Sequence, residues 1–274
     1  MQAEYRVEHI DLMNCTINIG GRLIDFSTPK VMAIVNITSD SFYSSSRSTT
    51  EEALSAKLDW LDANGADMID IGACSTRPGS TPISAEDEWE RLSRALNVIS
   101  KRTKRPIVSV DTFRAEIAQR AVKEYGVDII NDISGGELDK NMFSTIRELQ
   151  VVYVLTCYRS QVLVEELSNK VNELHLMGVS DIIVDPGLGF NKTLNQNWTI
   201  LSSIDMLKPL DCPILIGLSR KSMIQNVLSV SVQDALNGTT AANMIALMRG
   251  ADILRVHDLT EAKQTITIYQ QINK

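Results

Sequence analysis

The stretch Gly65-Ala66-Asp67-MIDIG carries the pattern that decides the fold. A glycine, one residue and an aspartate run directly into a short apolar segment. The phrase recurs at Gly126-Val127-Asp128 and Gly250-Ala251-Asp252, with a looser form at Gly178-Val179-Ser180-Asp181. Each phrase follows a stretch with helical periodicity, such as RAEIAQRAVKEY. Because glycine commonly ends helices and continuous apolar runs are typical of strands buried on both faces, the phrase predicts four helix-to-strand junctions.

Four further apolar segments predict strands in the intervals: VMAIVN (31–36), PIVSVD (106–111), VVYVLT (151–156) and PILIGLS (213–219). Eight strands alternating with helices favour the α/β class and a (β/α)8 TIM barrel, which typically needs about 250 residues. An open doubly wound sheet is the alternative that this pattern leaves open. The segment TINIGGRLIDFS (16–27) predicts an N-terminal β-hairpin at the bottom of the barrel. We therefore expect a single domain over 1–274, with 1–30 as a hairpin extension.

Composition and charge exclude several classes of protein. Hydrophobic residues make up 44% and charged residues 22% of the 274 residues, which is typical of a soluble globular chain and not of a disordered one. The net charge of −7 argues against general nucleic-acid binding. No apolar run of about 18 residues predicts a membrane span, and the first residues lack the apolar region of a secretory signal.

The cysteines predict a cytoplasmic protein with reduced thiols. The four are widely separated, with no CxxC pair and no histidine at zinc-site spacing: Cys15, Cys74, Cys157 and Cys212. This spacing disfavours a disulfide framework and a structural zinc site.

Polar residues concentrate where the predicted strands end. In TIM barrels the catalytic residues lie at these C-terminal ends and in the loops that follow. We expect seven of them to meet at one barrel mouth: Asn36, Asp111, Asn131, Asp185, Lys221, Arg255 and His257. Simpler interpretations exist for their neighbours, since Asp132 and Asp258 could be helix N-caps, Asp40 a turn residue, and Ser219-Arg220-Lys221 a cap with solvated charges.

The chemistry of these side chains divides into two groups. Four of them could bind a flat polar heterocycle: Asp111, Asn131, Asp185 and Lys221. Arg255, His257 and Asn36 suit an anionic group, and Asn36 is alternatively an oxygen ligand for Mg²⁺. The chain has no phosphate-binding P-loop and no dinucleotide fingerprint, so neither ATP nor NAD is implied.

From about residue 30 to 270 the chain resembles the dihydropteroate synthase family. Seven motifs carry this resemblance in the order of the family: Asn36–Phe42, Ser75–Gly79, Ser109–Thr112, Asn131–Ile133, Asp185–Phe190, Ser219–Ser222 and Arg255–Asp258. The resemblance implies a barrel enzyme of folate biosynthesis. It joins 6-hydroxymethyl-7,8-dihydropterin diphosphate to p-aminobenzoate and releases pyrophosphate.

The resemblance also implies residue roles. The pterin-binding set is Asp111, Asn131, Asp185 and Lys221, and the diphosphate-binding set is Asn36, Arg255 and His257, with Asn36 contacting the cofactor Mg²⁺. The p-aminobenzoate side comprises Phe42, Thr76, Arg77, Pro78 and Ser222. The catalytic residues are Asp111, Lys221 and Arg255, and loops 36–49 and 73–84 close over the site.

Further expectations concern partners and surroundings. Both substrates are small anions, which a local basic cluster inside an acidic shell would bind: Arg77, Arg220, Lys221, Arg255 and His257. The resemblance implies a sulfonamide target and a homodimer formed through late barrel helices such as 235–250, for which a core helix is an equal alternative. We expect no nucleic-acid or membrane partner.

The chain departs from the family pattern in three places. Ser39 replaces a usual proline, Cys74 replaces a residue that is often acidic, and Leu155-Thr156-Cys157-Tyr158 replaces a Met-His-Met phrase. Leu155 is expected to supply an apolar wall for the pterin. These changes leave room for a pterin-binding paralogue without catalysis. A methyltetrahydrofolate:corrinoid methyltransferase is a third hypothesis, although it would not need the Asn36–Phe42 and Ser75–Gly79 loops.

Overall fold

The structure is a computed structural model that describes residues 16–37, 47–73, 83–158 and 162–272. A two-stranded antiparallel hairpin precedes eight parallel strands. The strands are β1 (Thr16–Ile19), β2 (Arg22–Asp25), β3 (Lys30–Asn36), β4 (Met68–Gly72), β5 (Ile107–Asp111), β6 (Ile129–Asp132), β7 (Val152–Thr156), β8 (Ile182–Asp185), β9 (Leu215–Ile216) and β10 (Ile253–Val256).

The eight parallel strands close into a barrel. Neighbours in space are neighbours along the chain from β3 to β8, and β10 lies between β3 and β9. A parallel bridge between Val184 and Ile214 joins β8 to the segment before β9. The predicted (β/α)8 barrel is therefore confirmed, and the open-sheet alternative is wrong. The predicted strand 213–219 pairs as a regular strand only over Leu215–Ile216.

Helices surround the barrel in the described part of the chain. They are α1 (Arg47–Ala63), α2 (Ala85–Ser100), α3 (Ala115–Tyr125), α4 (Met142–Leu149), α5 (Leu163–Leu176), α6 (Leu194–Ser202), α7 (Ser222–Leu228), α8 (Leu236–Met248) and α9 (Leu259–Ile272). None of these helices combines the length and apolarity that a membrane crossing requires.

The repeated Gly-X-Asp phrase connects adjacent strands at the bottom of the barrel. Gly65, Gly126 and Gly250 have φ values of +75°, +63° and +93°, which favour glycine. The aspartate that follows accepts a hydrogen bond from the backbone N–H at the start of the preceding strand. The pairs are Asp67 with Val31, Asp128 with Val108, and Asp252 with Ile214, each at 2.8 Å.

The looser phrase Gly178–Asp181 contacts the N-terminal hairpin at the bottom of the barrel. Asp181 accepts a hydrogen bond from the backbone N–H of Asn18 in β1 at 2.8 Å. Gly20 and Gly21 form the hairpin turn with positive φ, and a Cβ on Gly20 would lie 2.3 Å from Asp128 Oδ1. Ile17, Ile19 and Phe26 pack with the inward-facing side chains of the barrel, so the hairpin covers its bottom as predicted.

Alternation along the strands separates two cores. One residue in two faces the barrel interior, where the inner core contains Met68, Ile129, Val154 and Ile183. The residues between them pack outward against the helices in a larger outer core. Cys157 and Cys212 are buried and are not in a disulfide bond in the described part of the chain, while Cys15 and Cys74 lie outside the described residues.

Candidate active site

The inward-facing positions above the inner core are polar. Continuing the alternation from Met68, Ile129 and Ile183 leads to Asp70, Asn131 and Asp185, each less than a tenth exposed. On the same face Asp111 pairs in register with Asn131. Parallel strands present these ends on one side of the barrel, so the closed sheet brings the predicted residues to one mouth.

Arg255 on β10 joins two carboxylates at the centre of this mouth. Its Nε donates to Asp70 Oδ2 at 2.6 Å, and its Nη2 donates to Asp111 Oδ2 at 2.7 Å. Asp70 also accepts hydrogen bonds from Ser109 Oγ at 2.6 Å and from Asn131 Nδ2 at 3.0 Å. One guanidinium therefore fixes side chains from β4 and β5, and Asp70 orients the amide of Asn131.

Asp70 is a site residue that the sequence analysis missed. It is fully buried and lies in the middle of the apolar run MIDIG. A carboxylate is rarely buried without a partner, because the charge loses its hydration. An ionisable residue inside a strand, where it cannot cap a helix, is the signal that could have revealed it.

Lys221 and Asp185 form a second part of the mouth, next to the loop Asp185–Phe190. The Lys221 ammonium donates to the Leu188 carbonyl and lies 4.6 Å from the centroid of the Phe190 ring. Asp185 Oδ1 accepts the Gly187 N–H at 2.7 Å. Gly189 has φ of +84°, and a Cβ there would lie 2.9 Å from Lys221 Cδ. The left-handed backbone conformation and the nearby lysine stem therefore both favour glycine at this position.

Burial shifts the pKa of several groups toward their neutral forms. It raises the pKa of Asp111 to about 7, although the Arg255 guanidinium acts in the opposite direction. Burial also raises the pKa of Asp185 and lowers the pKa of Lys221 to about 8. For Arg255, burial favours the neutral form, but the carboxylates of Asp70 and Asp111 outweigh it and raise the pKa. Arg255 is therefore the fixed positive charge of the mouth.

The predicted anion-binding residues lie at the rim. Asn36 ends β3, and both Asn36 Oδ1 and Asp111 Oδ2 lie within 4 Å of the position that a Cβ on Gly72 would take. His257 follows β10, is exposed, and its backbone N–H donates to Ser219 Oγ at 3.1 Å. Ser222 begins α7 beside Lys221 and is exposed.

Some predicted residues fall outside the described part of the chain. These are Phe42, Thr76, Arg77 and Pro78, with most of the loops 36–49 and 73–84. Their assignment to the p-aminobenzoate side stays a prediction.

Two sequence-based interpretations are wrong. Arg220 does not join the basic cluster: with φ of +51°, it binds both carboxylate oxygens of Asp258 at 2.9 Å and two backbone carbonyls. Leu155 does not line the mouth, since it packs in the outer core while Val154 packs in the inner core, and strand alternation therefore directs Thr156 inward. Asp132 is structural, because its carboxylate accepts bonds from Ser134, Gly136 and Tyr153.

Comparison with known proteins explains this arrangement. The chain matches the pterin binding enzyme family over residues 32–257. It is 37% identical over 242 residues to the dihydropteroate synthase of Clostridium beijerinckii, which covers 84% of this chain and 89% of that protein. The chain belongs to the dihydropteroate synthase family. It is a transferase of folate synthesis, like the other members of that family.

Other relatives and solved structures agree with this assignment to the dihydropteroate synthases. The Pneumocystis carinii folic acid synthesis protein fol1 is 36% identical over 269 residues, but this chain spans only 36% of its length. The Xanthomonas albilineans dihydropteroate synthase with 4-aminobenzoic acid is 31% identical, with a TM-score of 0.85 over 95% of this chain and 98% of that one. The Coxiella burnetii dihydropteroate synthase in complex with pteroic acid is 30% identical, with a TM-score of 0.83 over 94% of this chain and 98% of that one.

Proposed function

We propose that this chain condenses 6-hydroxymethyl-7,8-dihydropterin diphosphate with p-aminobenzoate to give 7,8-dihydropteroate and pyrophosphate. The observation that carries the proposal is the buried cluster in which Arg255 joins Asp70 and Asp111 beside Asp185 and Lys221. Such a cluster presents hydrogen-bond donors and acceptors in a fixed arrangement, which suits a flat heterocycle with polar edges. Relatives with more than 30% identity bear the name of this activity.

The pterin end of the substrate would occupy the inner part of the mouth. We assign it to Asp111, Asn131, Asp185 and Lys221. Asn131 donates its amide N–H to Asp70, which leaves its amide oxygen as an acceptor for the ring. Burial raises the pKa values of Asp111 and Asp185 because it disfavours their charged forms. N–H donors of a bound pterin would stabilise these carboxylates by hydrogen bonding to them.

The diphosphate would lie toward the rim, near Asn36, Arg255 and His257. The C–O bond to the diphosphate breaks as the amine of p-aminobenzoate bonds to the exocyclic carbon and then releases its proton. No protein nucleophile is needed, because the electron-rich pterin supports positive charge at that carbon. Arg255 would stabilise the departing negative charge electrostatically, while Asp111 would offset positive charge on the pterin.

The donor set at the rim fits a Mg²⁺ ion that binds together with the substrate. The described residues contain no group of three or more His, Cys, Asp or Glu side chains that could hold a metal alone. Asn36 offers one amide oxygen, and Mg²⁺ usually combines one or two protein oxygens with waters and substrate phosphates. When bound, the ion supplies positive charge that stabilises the pyrophosphate leaving group.

The p-aminobenzoate side would lie around Ser222, together with Phe42, Thr76, Arg77 and Pro78. Ser222 supports this assignment because it is exposed next to Lys221 at the start of α7. Sulfonamides would compete at this side, because the Yersinia pestis dihydropteroate synthase, which is 27% identical to this chain, has been solved with a sulfonamide drug.

We also propose that the chain is one cytoplasmic domain and forms a homodimer. The hairpin and the barrel share the inner core, which supports one domain. Helix α8 buries Ala242, Ala246 and Leu247, yet leaves Ile245 and Met248 44% and 63% exposed. Because the exposed side of this helix is also apolar, it favours contact with another protein surface. Light scattering of the purified chain measures whether that surface belongs to a second copy of the chain.

Pyrophosphate release tests the reaction. Purified protein with the pterin diphosphate and Mg²⁺ should release pyrophosphate rapidly only when p-aminobenzoate is added, and 7,8-dihydropteroate should appear in equal amount. Calorimetric binding of the pterin without any release would instead identify a pterin-binding paralogue. That alternative is favoured by the changed phrase at the end of β7. Absence of both binding and release would contradict the proposed function itself.

A further inference from the structure

β7 ends at Thr156, whose hydroxyl group lies in the barrel mouth. The function proposed above gives this hydroxyl no role. Thr156 is 1% exposed, and its buried Oγ1 has no hydrogen-bond partner among the residues that the structure describes. A buried hydroxyl without a partner costs free energy, because it has lost its hydrogen bonds to water. Such a group in a native structure calls for a partner, and the described part of the chain does not supply one.

The direction of this side chain follows from the strand. Val152 and Val154 belong to the inner core, and Tyr153 and Leu155 to the outer core. Since side chains alternate along a strand, Thr156 faces the barrel interior one step above Val154. It therefore lies in the polar layer of the mouth and not among the helices.

The neighbours of Thr156 belong to the proposed pterin-binding part. Thr156 pairs in register with Asp185 on β8. Its methyl carbon Cγ2 lies 3.1 Å from the position that a Cβ on Gly187 would take. The methyl group thus packs against the glycine of the Asp185–Phe190 loop, so the hydroxyl is the part of this side chain left to bind a ligand.

We propose that Thr156 is a specificity-determining residue whose hydroxyl hydrogen bonds to the edge of the pterin ring bound beside Asp185. This inference rests on the proposed function and extends it. A hydroxyl both donates and accepts, so it can match either a ring N–H or a ring nitrogen or oxygen. The unpartnered hydroxyl becomes satisfied only when the heterocycle binds, which makes its stabilisation specific to the complex.

A pair of variants tests this role. Thr156→Val keeps the shape of the side chain but removes the hydroxyl, and Thr156→Ser keeps the hydroxyl. Titration calorimetry with 6-hydroxymethyl-7,8-dihydropterin diphosphate should show a Kd for Thr156→Val raised roughly five- to thirtyfold. Thr156→Ser should stay within about threefold of the wild type. The KM for p-aminobenzoate should be unchanged in both variants.

Thermal unfolding without ligand separates this role from a structural one. Because the hydroxyl has no partner in the described ranges of the ligand-free protein, Thr156→Val should unfold at the same temperature as the wild type or higher. A lower unfolding temperature, or a Kd equal to that of the wild type, would overturn the inference. If the wild type itself binds no pterin, the proposed function is wrong and the inference is wrong with it.

Discussion

The two ends of the barrel interior differ sharply although the same strands build both. At the bottom the inward-facing side chains are apolar, as in Met68, Ile129 and Ile183, and the hairpin covers them. Two residues further along the same strands the inward-facing side chains are Asp70, Asn131 and Asp185. The interior thus changes from hydrocarbon to a charged network within one repeat of strand alternation, about 7 Å.

The comparison indicates that the lower, apolar layer stabilises the fold, whereas the upper, polar layer is the one expected to bind ligands. Burial of apolar side chains stabilises the lower layer without directional requirements. The upper layer gains little from burial, because each charge loses hydration and needs a partner of good geometry. Substitutions in the lower layer should therefore change stability alone, whereas those in the upper layer should change ligand binding as well.

The largest effect is expected for Arg255→Ala. The variant leaves the buried carboxylates of Asp70 and Asp111 without their common partner, which should lower the free energy of unfolding by about 3–5 kcal/mol. It should also weaken binding of the pterin diphosphate much more than binding of p-aminobenzoate. Denaturant titration and calorimetry with each substrate measure the two effects.

An exposed ion pair provides the control for Arg255→Ala. Lys104 pairs with Asp62 on the surface, where its side chain is 81% exposed. Lys104→Ala should therefore change the unfolding free energy by less than about 1 kcal/mol. Equal losses of affinity for both substrates in Arg255→Ala would contradict the assignment of Arg255 to the diphosphate.

The lower layer is tested by Ile183→Ala, two residues before Asp185 on β8. Ile183 is fully buried in the inner core, so the cavity should cost about 2–5 kcal/mol of unfolding free energy. At a temperature where the variant is folded, KM and kcat should match those of the wild type. Ile183→Val should cost only about 0.5–1.5 kcal/mol, and a large change in KM for either variant would show that the two layers are coupled.

A smaller effect is expected from the charge of Asp111. Burial raises the pKa of Asp111 to about 7, well above the ordinary value of 3.8 for an aspartate, so the folded state favours the protonated form. This contribution to stability is complete below about pH 4 and is lost as the pH rises through about 7. Asp111→Asn cannot ionise, so the wild type should lose stability relative to it over this range, on the order of 3 kcal/mol.

Unfolding temperatures of both proteins from pH 4 to pH 8 measure the effect. The two curves should diverge with rising pH, the wild type becoming the less stable. Parallel curves, or an Asp111→Asn variant that is less stable at pH 8, would show that the ion pair with Arg255 keeps Asp111 ionised.

The sequence predicted the barrel because its signals were local and repeated. Each Gly-X-Asp phrase combines a helix end that needs glycine with a carboxylate that binds the neighbouring strand. The polar strand ends followed from the fold, since parallel strands end on one side. Asp70 was not predicted because only polar residues at the strand ends were considered, and Asp70 lies inside β4.

The interpretations of Leu155 and Arg220 were wrong because the sequence does not show in which direction these side chains point. The run VVYVL is apolar throughout, so it contains no alternation to show whether Leu155 or Thr156 faces inward, and a shift of one residue reverses every side chain. Arg220 is adjacent to Lys221 in the sequence, yet its side chain binds Asp258, which lies 38 positions further along the chain. No local sequence pattern reveals that contact.

The carboxylates at the bottom of the barrel have a consequence for the order of folding. Three of them bind residues that are 36, 20 and 38 positions away, so each can form as soon as one strand–helix unit has been made. Asp181 binds the hairpin across 163 positions. Contacts of that separation require closure of a long loop and form late. The hairpin precedes the barrel strands along the chain, yet it can cover the bottom of the barrel only after most of those strands have formed.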